Sequence, residues 1–328
     1  MNAPVSPTPL RPLGLGELLD RAVTLCVKFI VPFALIQVVY ALPQGVFQYF
    51  ATRNFTMLLQ AFADHIRAQA AGKGDASDLS AALANSNGNL GDLGWSFGLF
   101  ALSFVLVPLV NGALIDATTA SYFGRTPTFR EAYRAGASRW LNMVGINVLY
   151  GLSGGVVYFV VVLIALFIVF AIVAVTAAAH ALGIALAVLI GVVALIALLA
   201  LVILVTLALQ LSYFACVVER ENFATAYVSG LRRVTRGVGI RRSLLVGLAY
   251  YAAIFGIGLV SFAGQGVLSG FLHSGVAGTV FVTVVSLGTA AFTTAFMTIF
   301  YFDLRVREEG LDLELAANST LTMPAGAP

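Results

Sequence analysis

The stretch "WLNMVGINVLYGLSGGVVYFVVVLIALFIVFAIVAVTAAAHALGIALAVLIGVVALIALLALVILVTLALQLSYFACVV", Trp140–Val218, runs for 79 positions without an Asp, Glu, Lys or Arg. A helix needs about 20 apolar residues to cross a ~30 Å hydrocarbon core. The run therefore has room for two long spans or three short ones, with one interruption near His180. A second uncharged run covers residues 243–302, 60 positions interrupted near "SGFLHSG". Two further spans come earlier. Phe29–Phe50 is the most polar, with Pro32, Pro43, Gln37, Gln44 and Gln48, and Trp95–Tyr122 follows it.

Charge placement decides between the counts. With two spans in each uncharged run the chain has six. One side then holds the N-terminus, the 123–142 and 219–242 connections and the C-terminus, with fifteen of the eighteen basic residues. Only Arg53, Arg67 and Lys73 lie opposite. An odd count would place arginine-rich connections on both faces. The positive-inside rule makes the basic side cytoplasmic, so both termini are expected inside a bacterial-type cytoplasmic (inner) membrane.

The composition agrees. The chain is 60% hydrophobic and 10% charged, against about 25% charged residues in soluble domains. A net charge of +3 gives no reason to expect nucleic acid. Cys26 and Cys216 stand far apart, and His65, His180 and His273 stand alone. No zinc or redox spacing results, so no metal and no cofactor are expected. Gly14-x-Gly16 follows no strand and implies no nucleotide site. The Pro-rich residues 1–10 lack the features of a signal peptide and are expected to stay as a flexible N-terminus. The membrane domain is expected over 11–305, with an extracytoplasmic connection at 51–94 containing an amphipathic helix and a cytoplasmic tail at 306–328.

An internal repeat organises the spans. "FREAYRAGASRWLNMVGI", 129–146, and "FATAYVSGLRRVTRGVGI", 223–240, are identical at eight of eighteen positions at an offset of 94, including Ala132/Ala226, Gly136/Gly230 and Arg139/Arg233. Each places Phe, Ala and Tyr on one apolar stripe with arginines elsewhere, the pattern of a helix lying in the membrane interface. "LGELLDRAVTLCVKFIVP", 15–32, offers a weaker third copy in which Leu15, Glu17 and Leu19 align with Phe129, Glu131 and Tyr133. Tyr122-Phe123, Tyr213-Phe214 and Tyr301-Phe302 close the units alike, as interfacial aromatics do. The expected fold is all-α: six transmembrane helices as three parallel hairpin repeats, each preceded by a cytoplasmic amphipathic interfacial helix.

Three segments, "RPLGLGELLDRAVTL", "FREAYRAGASRWLNMVGINVLYG" and the closing "YFDLRVREEGLDLEL", Tyr301–Leu315, together resemble the glycerophosphoryl diester phosphodiesterase membrane-domain family. The resemblance covers most of residues 11–315. It implies a membrane region that in some relatives precedes a soluble phosphodiesterase barrel. No such barrel lies within these 328 residues, and the clustered histidines and carboxylates of metal-assisted hydrolysis are missing. The resemblance therefore implies no enzyme. In the closing segment, Asp303, Arg305 and Arg307 read as the point where the last span meets water. Glu308, Glu309, Asp312 and Glu314 are left to pair with the repeat arginines or to be solvated.

Candidate sites are few. Asp116 and Asn111 in the second span and Gln37 in the first form a possible intramembrane polar site, since buried carboxylates often serve ions or protons. The alternative for Asp116 is a helix-end carboxylate reached by water or paired with an arginine. Arg232, Arg233, Arg236, Arg241 and Arg242 form the densest basic patch, which serves orientation alone or contacts anionic lipid or a protein partner. Gly151-x-x-x-Gly155 and Gly266-x-x-x-Gly270 permit close helix approach within or between chains. These features favour a non-enzymatic membrane protein that organises lipids or partner proteins. The alternative is a small-solute or lipid transporter using the polar first span and Asp116. A polar cavity between spans one and two would favour transport, and a solid apolar interior scaffolding.

Overall fold

The computed structural model describes residues 11–47, 49, 90–177, 181–236, 238–272 and 275–310. Among these residues the secondary structure is entirely helical. The helices are α1 (Leu15–Lys28), α2 (Ile30–Phe47), α3 (Leu90–Tyr122), α4 (Phe129–Ala177), α5 (Ala181–Val218), α6 (Phe223–Thr235), α7 (Val238–Phe271) and α8 (Gly275–Glu309). Six of them, α2, α3, α4, α5, α7 and α8, are long and apolar enough to cross a membrane. The 79-residue run thus holds two described helices, one ending at Ala177 and one starting at Ala181, and the second run holds one ending at Phe271 and one starting at Gly275. The N-terminal residues 1–10, His65, His180, His273, Arg53, Arg67, Lys73, the expected amphipathic helix of the 51–94 connection and the tail beyond Gly310 lie outside the described residues.

Local signals set the helix ends. Asn222 caps α6, its Oδ1 accepting from the backbone N–H of Ala224 at 3.1 Å and Thr225 at 2.9 Å, the usual use of a short polar side chain there. The helix α3 stops at Gly124, whose φ of 77° suits glycine. There Gly124 N–H bonds Ser121 C=O and Arg125 N–H bonds Ala120 C=O at 2.9 Å, the paired closure of a Schellman end. Gly310, at φ 64°, follows α8 in the same way.

Leu13 and the end of α8 meet on one face, because the Leu13 N–H donates to Asp303 Oδ1 at 2.8 Å. Both ends of the described chain therefore share a side, as an even number of spans requires. Burial concentrates toward this terminal face: α8 is buried over much of Ala291–Val306, and the α3 and α5 core residues lie at Val110–Ala117 and Ile203–Cys216. Farther out, large apolar side chains such as Phe262 and Phe271 are exposed. Such a surface suits lipid and not water.

Three helix starts bury a pair of residues four apart against a neighbour. The buried pairs are Leu18 and Ala22 in α1, Ala132 and Gly136 in α4, and Ala226 and Gly230 in α6. They face α8, α3 and α5 respectively. A Cβ on Gly136 would lie 2.7 Å from Leu109 O and 2.8 Å from Ala113 N. One on Gly230 would collide with Ala208 O and Ser212 Oγ.

Several expectations change. The 129–146 segment is not a separate helix but the first part of the 49-residue α4. Its counterpart does break, after Thr235, where Arg236 turns to an extended backbone at φ −91° and ψ 135°. The helix α3 begins at Leu90, ahead of Trp95, and α8 continues to Glu309, past the expected boundary at 305. The three aromatic pairs are not an exposed belt. Phe302 stacks on Tyr122 with centroids 5.3 Å apart and meets Phe123 edge-on at 5.1 Å, while Tyr301 stacks on Phe214 at 5.4 Å. These rings form one largely buried chain across the ends of α3, α5 and α8. Gly151, Gly155, Gly266 and Gly270 have no neighbour within 4 Å of an added Cβ, so they mediate no packing among the described residues.

The two kinds of glycine give opposite signs on substitution. Gly230→Ala forces a methyl into backbone and is expected to cost about 1–3 kcal/mol, lowering the thermal midpoint in detergent. Gly266→Ala meets open space and gains up to about 1 kcal/mol of helix propensity. Equal melting of the two variants would refute the close seating of α6 on α5.

Candidate functional site

Two polar assemblies stand out against the apolar bundle. The first is a cavity of about 380 Å³ between α2, α3, α5, α7 and α8. Three carboxamides reach it: Gln37 from α2, Asn111 from α3 and Gln210 from α5. They lie 7, 11 and 8 residues in from Ile30, Tyr122 and Val218, or roughly 10–17 Å deep at 1.5 Å per residue. The amides therefore sit about two to three helical turns inside the spans.

Their hydrogen-bonding capacity is open. Gln37 is 8% exposed, and no described residue bonds either end of its amide. Asn111 and Gln210 likewise have no hydrogen-bond partner among the described residues. Each carboxamide offers one acceptor oxygen and two N–H donors. Four of the hydroxyls around them have spent their protons: Ser261, Ser286, Thr289 and Thr294 donate to Ile257, Thr283, Val285 and Ala290 C=O at 2.7–2.9 Å. What they keep is acceptor lone pairs. Among the described residues no Asp, Glu, Lys or Arg lines the cavity.

Asp116 is elsewhere. Five residues separate it from Asn111, which on a helix of 3.6 residues per turn is about 140° around the axis. It lines a different pocket, of about 570 Å³, with Arg125, Glu131 and Arg134. It has no hydrogen bond or ion pair among the described residues. Gln37 and Asn111 are thus brought together and Asp116 is not, while Gln210 joins them. Gln210 falls within the least polar run of the chain, where its apolar neighbours mask it, although as an amide inside a span it carries the same signal as Gln37.

The second assembly lies on the terminal face. The Asp303 carboxylate, with no exposed side-chain surface, accepts from Leu13 N–H at 2.8 Å, from Arg242 at 3.1 Å and from Arg307 Nε at 3.1 Å. The same two arginines donate through Nη2 to Leu13 C=O, at 2.7 and 2.8 Å. Asp303 is therefore a buried tie, not the point at which the chain meets water. Beside it Arg233 donates to Glu219 at 2.7 Å and Glu309 at 2.9 Å, and Arg305 donates to Glu309 at 2.6 Å. Tyr301 bonds Glu219 and lies under the Arg233 guanidinium, 5.2 Å from its ring centroid. Burial alone would lower the Arg233 pKa, but the adjoining carboxylates of Glu219 and Glu309 raise it above its ordinary value. Of the basic patch, Arg233 and Arg242 are thus committed within the fold, while Arg232, Arg236 and Arg241 remain exposed.

The six long apolar helices suggest a multi-pass membrane protein, helical over its described residues, with three carboxamides reaching a cavity among its spans. Compared with protein-family models, curated proteins and solved structures, the chain matches none. Among the described residues no three His, Cys, Asp or Glu side chains group as metal ligands.

Removing Asp303 tests the tie. Asp303→Ala leaves Arg242, Arg307 and the Leu13 N–H without their acceptor, and breaking a buried pair this way costs about 3–5 kcal/mol. Arg11→Ala removes a pair whose arginine is 61% exposed and is expected to cost under about 1 kcal/mol. Thermal unfolding of both variants in one detergent checks the contrast.

Proposed function

We propose that the chain is a non-enzymatic protein of a bacterial-type cytoplasmic membrane, both termini cytoplasmic, which accepts a small solute or lipid group between its spans as a carrier. The supporting observation is the cavity, walled by five of the six long helices and lined by unpartnered amides. Polar groups inside a membrane are costly and concentrate where a substrate passes. Asp116 lies off this path and drops out of the carrier reading. The resemblance to the glycerophosphoryl diester phosphodiesterase membrane-domain family is kept as a proposal about the membrane region alone.

In this proposal the three hairpin units form a ring. Units begin at α1, at the arginine-bearing start of α4 and at α6. Each start packs on the span that closes the unit before it: α1 on α8, α4 on α3 and α6 on α5. The match of Leu18/Ala22, Ala132/Gly136 and Ala226/Gly230 supports the same three-part order.

A second reading, organisation of anionic lipids or a protein partner, draws on Arg232, Arg236 and Arg241. Basic residues at an anionic surface contribute about 1 kcal/mol each. Neutralising all three to Gln is expected to strip co-purifying anionic lipid, seen by native mass spectrometry; unchanged retention would end that reading.

For the carrier reading, Thr289→Cys in a Cys26→Ser/Cys216→Ser background is expected to react with a water-soluble thiol reagent. Ala295→Cys, in the packed core, is expected to resist. A Thr289→Cys that stays unmodified from both sides of the membrane would leave no water-filled cavity and sink the proposal.

A further inference from the structure

The cavity's chemistry narrows what it can hold. A charged group taken this far inside the spans without a counter-charge pays several kcal/mol of desolvation. Among the described residues no ionised side chain lines this cavity to offset that cost. An apolar occupant fits no better, because it would leave the amides of Gln37, Asn111 and Gln210 unpaired, and an unpaired buried polar group is itself unfavourable. These amides are already unbonded within the protein. They come from three different helices and meet at one space, so no single helix's local sequence explains them. Gln37 in particular is more than nine-tenths buried and still has no partner.

We infer that the cavity is a binding site for an uncharged polyhydroxyl group. The assignment rests on the carrier reading for the existence of a ligand and adds its chemical class. A sugar or polyol hydroxyl both donates and accepts. Its protons suit the amide oxygens and the lone pairs of Ser261, Ser286, Thr289 and Thr294, whose own protons are bound to backbone carbonyls. Its lone pairs suit the six N–H donors that three carboxamides carry. Neutral donors and acceptors, set among apolar side chains such as Ile115, Phe214 and Ile254, are what the described wall presents. The volume of about 380 Å³ falls in the range of small-molecule sites, ~300–1,000 Å³. The same chemistry belongs to a free sugar in water and to the sugar headgroup of a neutral glycolipid.

The test follows the modification rate of Thr289→Cys in the Cys26→Ser/Cys216→Ser full chain, reconstituted in phosphatidylcholine vesicles. Three arms are compared: free glucose, sodium gluconate, and vesicles that also contain monoglucosyl diacylglycerol. Slowing by glucose supports the assignment with a free solute as source. Slowing by the glucolipid alone supports it with a lipid headgroup as source. In either case Gln37→Leu, Asn111→Leu or Gln210→Leu is expected to weaken protection about 3- to 10-fold, the worth of one hydrogen bond. The modification rate without ligand and the thermal midpoint, measured alongside, identify a variant that has failed to fold, and Gln37→Met then replaces it. Gluconate protecting as well as glucose overturns the uncharged class. A cysteine that reacts but is protected by no arm overturns the polyhydroxyl assignment and leaves the carrier reading standing. A cysteine that never reacts overturns both.

Discussion

A buried carboxylate closes this fold. Asp303 sits with no exposed side-chain surface on the last helix, and it binds a backbone N–H 290 residues earlier in the chain. Two guanidiniums share the load, and each also reaches the carbonyl of that same early residue, Leu13. In a low-dielectric setting an ion pair compensates its desolvation only when its remaining donors and acceptors are satisfied too. Here one peptide unit, one carboxylate and two arginines satisfy one another. The tie fixes where α1 lies, because Leu13 directly precedes it. Once α1 is held against α8, the first and last elements of the chain are neighbours and the bundle has no open seam there.

A second set of ion pairs around Arg233 joins α5, α6 and α8, though Arg233 keeps one buried Nη1 without a hydrogen-bond partner among the described residues. Glu219 follows α5, Arg233 belongs to α6, and Glu309 and Arg305 end α8, so three elements meet through two cations and two anions. Gly230 brings α6 close enough to α5 for this to happen, since a side chain there would strike Ala208 and Ser212. Close backbone approach and charge pairing therefore depend on each other. Neither alone accounts for an arginine held nine-tenths buried at the end of a membrane bundle.

Much of the fold was legible because membrane crossing imposes a length and a composition that a sequence carries openly. Two long uncharged runs, each broken once, already specify four helices, and the one-sided arginines require an even count. Gly136 and Gly230 were visible as repeat partners, though not as contact points. What stayed hidden depends on rotation and on distance along the chain. Asp303 carries a charge, and beside Arg305 and Arg307 it looks like the edge of the membrane; only contact with Leu13 and Arg242 makes it interior. Tyr301 and Phe302 look interfacial by type, yet the lattice draws them inward. Asp116 drew attention because carboxylates do, but the helix turns it away from Asn111. Gln210 resembled background because its neighbours in sequence are apolar, while its partners in space come from other helices.

The two assemblies also constrain one another. The cavity ends toward the terminal face at Tyr213 and Phe214. Phe214 stacks on Tyr301, whose ring lies under Arg233, and Phe302 beside it packs on Tyr122 and Phe123. The buried rings thus form a floor beneath the amides, and the ion-pair lattice holds that floor from below. Under the carrier reading, a solute leaving toward the terminal face must part Phe214 from Tyr301. That in turn shifts Tyr301 away from Glu219 and Arg233. Separating a buried charge-assisted contact costs more than separating two rings, because the ring pair contributes only about 0.5–1.5 kcal/mol beyond its buried area. Under that reading, the resistance to passage on this side would reside in the carboxylates and arginines more than in the aromatic rings they hold in place.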